Sequence, residues 1–180
     1  YELDYSDHLL TISVLPDGAL ASASEIDVNA IQDGAGTVTI YVLMNNGTPA
    51  GDEIKSAVLA ACSDERVRPL TDRVLVADPG IVDYDISMTF FIPASSAIPS
   101  AEIEANIDAA VDEFKDWQSA KLGRDINPSY LTWLCMQTGV KRVAITSPPF
   151  TPLADGSDNT APQLARCRSV TIINGGTEDE

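Results

Sequence analysis

Several things are scarce in this chain, and each scarcity excludes something. Histidine occurs once, at His8. A Ser-His-Asp or Cys-His device would have to be built on it, and the usual His-rich zinc sites are out. The three cysteines, Cys62, Cys135 and Cys167, are far apart and form no C-x-x-C pair. A disulfide framework is excluded, and the pattern reads as reduced and intracellular. No run approaches the ~20 apolar residues of a membrane span. Bases are few: 11 Lys+Arg face 27 Asp+Glu, a net charge of −16. A polyanion such as nucleic acid and an anionic membrane surface are both disfavoured as partners.

What is present is a globular composition. The 180 residues are 44% hydrophobic and 21% charged, with a mean hydropathy of +0.02. Such a chain buries a core. The acid is uneven: residues 1–90 hold 15 acids and 4 bases, residues 91–180 hold 12 and 7. A chain that opens on Tyr1 reads as a fragment of something longer.

The first 24 residues read as the end of a preceding region, with Pro16-Asp17-Gly18 as a turn. Alternation at Ile26, Val28 and Ala30 predicts a strand. Asp33 to Gly36 is a hairpin-like turn, and Thr37 to Leu43 predicts a second strand with Val38, Ile40 and Val42 on one face. Thr48 and Pro49 have the chemistry of a helix cap and first position, and Ile54, Ala57, Val58 and Ala61 make a helical stripe ending near Asp64. A short strand is expected from Val74 to Ala77. The clearest strand signal runs from Val82 to Ile92, apolar residues alternating with Asp83, Asp85, Ser87 and Thr89. A long helix from about Ser100 to Leu122 carries Ile103, Ile107, Ala110, Val111, Phe114 and Trp117 on one face, with Gly123 as its stop. Asn127 and Pro128 open a third helix, Arg142 to Thr146 is a strand, and Ser147 to Pro162 reads as an exposed loop or arm. Ser169 to Ile173 is a last strand, and residues 175–180 read as a disordered acidic tail.

Chemistry is hard to assemble from these residues. Asp83 and Asp85 share a strand face, which the alternation rule makes a solvated one. Asp155-Gly156-Ser157-Asp158-Asn159 is like the start of a calcium loop, but Thr160 stands where glycine is needed and Arg166 where the bidentate acid belongs. Gly34 and Gly36 are turn residues without a phosphate fingerprint. Trp117 and Trp133 are core or interface anchors. Glu102, Glu104, Asp108, Asp112, Glu113 and Asp116 make the long helix acidic, a solvated face or a docking face for a basic partner. No nucleophile, base and oxyanion hole come together, so neither catalysis nor a cofactor is expected.

The most specific segment starts at Gly36-Thr37-Val38-Thr39-Ile40-Tyr41-Val42-Leu43. It passes Asn46-Gly47-Thr48-Pro49 and ends with Val67-Arg68-Pro69-Leu70-Thr71-Asp72-Arg73-Val74. This order resembles the baseplate J-like family of contractile-tailed phages and related injection systems, over about residues 25–175. The resemblance implies the C-terminal part of a structural wedge subunit with no catalytic role. Its partners would be other wedge and hub proteins, and it would be oligomeric in the assembled baseplate. Its place would be the virion tail baseplate, assembled in the bacterial host cytoplasm. Pro69 pushes Arg68 to an extended conformation, and Thr71 and Asp72 suit a turn, so Arg68, Pro69, Leu70, Thr71 and Asp72 read as a shaped connection from helix to strand.

The expected fold is α+β: two small α/β-sandwich-like subdomains, 25–93 and 94–174, with short mixed sheets and flanking helices. Function would come from protein–protein contacts. Glu104, Asp108 and Asp112 on the long helix, and Pro148, Pro149 and Phe150 in the arm, are the interface candidates. A small-molecule-binding or regulatory module, or an enzyme of unknown class, stands as the alternative.

Overall fold

A computed structural model describes residues 26–32 (backbone), 37–44, 46–63, 73–157 and 160–179. The chain divides into two compact units. The first holds the described residues up to Gly80 together with Ala120–Gly123 and Ala154–Leu164; the second holds Ile81–Ser119, Arg124–Leu153 and the residues from Ala165 onward. The division thus falls at Gly80 rather than after residue 93, and the first unit recovers two pieces from far along the chain. Among the described residues there are three helices and six strands in two three-stranded sheets, an α+β fold.

In the first unit β1 (Ile26–Gln32) pairs antiparallel with β2 (Thr37–Met44), from Ile26 opposite Met44 to Gln32 opposite Val38. β3 (Arg73–Ala77) pairs parallel with β2. A parallel neighbour needs a crossover, and α1 (Asp52–Cys62) lies in it. Val38, Ile40 and Val42 pack with Val58, Cys62 and Val74, as the alternation predicts. The intervening Thr39, Tyr41 and Leu43 are buried too. Tyr41 and Leu43 meet Leu122 and Leu164, which explains why the two distant pieces belong to this unit.

Thr48 and Pro49 do not open α1. Asn46 Oδ1 accepts from the Thr48 amide at 3.1 Å, closing an Asx turn, and from the Thr48 hydroxyl at 2.6 Å. Pro49 forms a bridge with Leu43 instead. The helix starts three residues later, with extended Gly51 as its N-cap and Asp52 and Glu53 in the first turn, where the dipole favours anions.

In the second unit β4 (Gly80–Pro93) lies between β5 (Arg142–Ser147) and β6 (Gln163–Glu178). β5 is antiparallel, with Met88 opposite Ile145 and Phe90 opposite Val143. Contacts with β6 advance in the same sense along both strands, Asp83 with Arg166, Asp85 with Ser169 and Ala94 with Glu178, a parallel arrangement. Tyr84, Ile86, Met88, Phe90 and Ile92 point inward against α2 (Ser100–Ser119) and α3 (Pro128–Met136). Asn127 caps α3 as expected, its Oδ1 accepting from the Ser129 amide at 3.0 Å, with Pro128 at the first position. Phe114 is fully buried at the centre, edge-on to Tyr84 with centroids 6.3 Å apart. Cys62 and Cys135 are buried as small hydrophobes.

Two expectations from sequence need correction. Residues 175–178 are not a disordered tail but the end of β6. Ala94 donates to the Glu178 carbonyl at 3.0 Å, Arg142 Nε reaches the Glu178 carboxylate at 2.9 Å, and Gly175 lies so close to the Phe91 ring that a Cβ would sit 2.4 Å from it. The segment after β5 is not a free arm either. Ile126 and Thr151 exchange amide bonds at 2.9 and 3.1 Å, and buried Leu153 donates its amide to Asp125 Oδ1 at 2.8 Å.

Two glycines allow a direct test of backbone constraint. Gly123 has φ +69° and a Cβ there would meet Asp155 at 2.5 Å, whereas Gly176 has φ +88° and open space around it. Gly123→Ala is expected to destabilise by about 2 kcal/mol or more and Gly176→Ala by about 1 kcal/mol. Urea unfolding of both variants checks this; equal losses would contradict it.

Candidate interaction surfaces

The sequence-nominated residues occupy different places. On α2, Lys115 is the one base among six acids. Glu104 accepts from Asn174 Nδ2 at 2.6 Å and from Ser100 Oγ at 3.1 Å. Asp112 holds Lys115 at 2.8 Å. Asp108, Glu113 and Asp116 are exposed. The helix therefore keeps an acidic outer face, while Glu104 also ties β6 to the helix start.

Pro148 is buried, Pro149 is exposed and Phe150 is 59% exposed. The bonds at Thr151 and Leu153 hold this segment, so Phe150 stands out from a fixed backbone. Among the described residues no hydrogen bond or ion pair joins it to Glu104, Asp108 or Asp112, and the structure does not merge the two candidates into one site.

A third surface is aromatic. From Phe114 a chain of rings runs outward through Trp117, Tyr130 and Trp133. Trp117 and Tyr130 have centroids 4.2 Å apart, and Tyr130 and Trp133 stack at 5.7 Å. The Arg124 guanidinium lies 4.1 Å over Trp117 and donates to the Trp117 carbonyl. Trp133 at the outer end is 55% exposed, with exposed Met136 close to it in sequence. Tryptophan, tyrosine and arginine are the residues that dominate interface energetics. Trp117 and Trp133, on or beside the helical stripes, are anchor candidates from sequence; Tyr130 and Arg124 are not.

The fourth surface is the face of the β5-β4-β6 sheet opposite the helices; alternation marks Asp83 and Asp85 as solvated there, but not the arginines that meet them. Arg166 makes a two-pronged bond to Asp83 at 2.7 and 3.1 Å, Arg168 approaches Asp83 at 3.8 Å, and Ser169 Oγ donates to Asp85 at 2.6 Å. Arg142 stacks 3.6 Å over Phe91 while holding Glu178. The Arg166 guanidinium beside Asp83 lowers its carboxyl below the usual carboxylate range, and Arg142 does the same to Glu178.

Chemistry stays sparse. Among the described residues no cluster of His, Cys, Asp and Glu could hold a metal ion. Burial pushes the Cys135 thiol up to about 11 and also raises Cys62 and Cys167, which leaves them protonated and poor nucleophiles near neutral pH. His8, and Asp158 and Asn159 of the calcium-like stretch, lie outside the described residues. Asp155 accepts from the Ser157 amide at 2.9 Å in an ordinary Asx turn. Between α1 and β3 runs an open groove of about 370 Å³. In it Lys55 is shared by Asp52 at 3.1 Å and Asp78 at 3.0 Å. No helix is long and apolar enough to cross a membrane, among the described residues.

These surfaces belong to a protein whose relationships are clear. Residues 18–78 match the Baseplate J-like central domain. This stretch is similar in sequence to that family. The match ends two residues before Gly80, where the N-terminal stretch of the first unit ends. The likeness also reaches across the second unit: the chain is 32% identical over 166 residues to baseplate protein J of Escherichia phage P2, covering 90% of this chain and 51% of that protein. The chain thus spans about half the length of the curated relative it matches. The Arg68, Pro69, Leu70, Thr71 and Asp72 signature lies inside the family match but outside the described residues.

The open-face ion pairs give a pH prediction. Asp83 has a lowered folded-state pKa, so its stabilising contribution is complete above the unfolded-state pKa and is lost as pH falls through the lowered value. Asp83→Asn should be less stable than the parent at neutral pH, with the two converging in acid below the carboxylate range. Thermal unfolding across pH reads this; a gap that persists at the acid limit would show that Asp83 acts by packing instead.

Proposed function

We propose that this chain is a structural component of a phage or prophage contractile-tail baseplate. It acts as part of a wedge subunit through contacts with other wedge and hub proteins, in an oligomeric assembly built in the host cytoplasm and carried in the virion tail. The observation that carries the reading is the 32% identity to a phage baseplate protein along 90% of the chain, which takes in both units rather than one shared domain. The physical character of the molecule agrees with it. Its exposed groups of note are large aromatics and a one-signed helix face, the materials of a protein–protein interface. Among the described residues its thiols are held protonated by burial and the groove between α1 and β3 is open rather than enclosed, which suits a role through contacts.

Within this reading the two units divide the work: the baseplate J-like first unit is a packed connector, and the second unit supplies docking residues. Phe150 and Trp133 are the anchors and Asp108 and Asp112 steer a basic neighbour. Deleting residues 148–160 is a poor test, because it removes buried Leu153 and the Thr151 bridge. Point variants are better.

Phe150→Ala and Trp133→Ala are expected to leave the melting temperature nearly unchanged and to weaken co-assembly with the neighbouring tail proteins by about tenfold or more. Asp108→Lys with Asp112→Lys should slow assembly mainly at low salt. Co-expression of the tail-operon proteins with affinity capture of this chain provides the measurement. Full co-assembly by all the variants would sink the assignment of these surfaces, and failure of the parent chain to capture any tail protein would sink the function.

A further inference from the structure

The longest strand is also the least protected. β6 has sixteen residues, against six in β5 at the opposite side of the same sheet. Its inner edge is bonded to β4, and among the described residues no strand lies along its other edge. Proteins blunt such edges with lysine, proline or short length. β5 is short and runs directly into Pro148 and Pro149; β6 contains neither lysine nor proline. Its middle, Ser169-Val170-Thr171-Ile172-Ile173-Asn174, is uncharged and has four consecutive β-branched residues. Val170 is 40% and Ile173 53% exposed. This is the composition of a strand that pairs.

We infer that β6 pairs edge to edge and antiparallel with β6 of a second copy of this chain, joining the two β5-β4-β6 sheets into one. The charge order selects the occupant and the direction. Arg166 and Arg168 stand at the start of the strand, Glu178 and Asp179 at its end. Antiparallel pairing centred on Ile173 lays Arg168 of one copy opposite Glu178 of the other, twice by symmetry. Parallel pairing would set like charges abreast. Arg166 and Glu178 already hold Asp83 and Arg142 in their own chain, so the cross-copy contacts extend these ion pairs rather than break them. Arg168 is the outward member, its side chain 69% exposed. The inference rests on the strand alone and not on the baseplate reading.

The test uses the 180-residue chain in sedimentation velocity over the micromolar range. A concentration-dependent dimer is expected. Thr171→Lys with Ile173→Lys, both at exposed positions, should raise its dissociation constant about tenfold or more. Arg168→Glu alone and Glu178→Lys alone should each weaken the dimer, and mixing these two variants should restore it, because each mixed pair again opposes unlike charges. Thermal melts verify that each variant is folded. A chain that stays monomeric throughout, a dimer indifferent to all these substitutions, or a mixture no tighter than its parts would each overturn the inference.

Discussion

Burial of a strand on one face or on both is the constraint from which the rest of this structure follows. β2 has six consecutive buried residues, Val38 to Leu43. A strand of that kind needs cover above and below. α1 supplies one side through Val58 and Cys62, and the other side is supplied by Leu122 and Leu164. Those two leucines sit far along the chain, so the first unit is completed by residues that follow much of the second in sequence. The interruption of each unit by the other is thus a consequence of what Tyr41 and Leu43 require. β4 is the opposite case. Its alternation is strict, its even-numbered residues from Tyr84 to Ile92 are buried, and two helices on one face suffice. The other face is left to solvent and ion pairs.

That open face is held by directed rather than hydrophobic contacts. Exposed ion pairs contribute little stability each, so the Asp83–Arg166 and Arg142–Glu178 pairs matter more for register than for energy. A strand such as β6, with only Leu164 and Ala165 fully buried, has a weak hydrophobic instruction about where to lie. Arg166 fixes one end against Asp83, Asn174 ties to Glu104 across the helix side, and Glu178 fixes the other end. The acidic helix is accordingly part of the fold as well as a surface, because Glu104 is one of the groups that places β6.

Much of this was legible in the residues. Period-two and helical stripes located the strands and helices of the second unit, and Asn127-Pro128 marked the start of α3. Three things were not. Thr48 has the right chemistry for a cap, but the Asn46 turn and the Pro49 bridge to Leu43 delay the helix to Asp52, and that is a matter of local geometry. The end of β6 reads as an acidic, glycine-bearing tail until Phe91 and Arg142 are seen beside it; both are far away in sequence. The second buried face of β2 was hidden because Thr39 and Tyr41 look polar in an alternation that the eye completes with Val38, Ile40 and Val42. Of the interface candidates, exposure at Phe150 and acidity on α2 followed from composition. The stacking of Arg124, Trp117, Tyr130 and Trp133 joins two helices and the turn between them, and no single periodicity contains it.

The charge of −16 takes on a different meaning once these contacts are placed. It is not spread evenly over the described surfaces. The outer face of α2 keeps its acids with one lysine among them, whereas the open face of the sheet carries Arg142, Arg166 and Arg168 against Asp83, Asp85 and Glu178 and is close to balanced. A one-signed face repels a second copy of itself and attracts a basic neighbour; a balanced, sign-segregated edge is compatible with its own copy when the two run antiparallel. The two surfaces therefore suit different partners, and salt separates them. Raising ionic strength would screen any steering along α2 most strongly, while the inferred strand pair, held by backbone hydrogen bonds and the apolar side chains of Val170 and Ile173, would be screened far less.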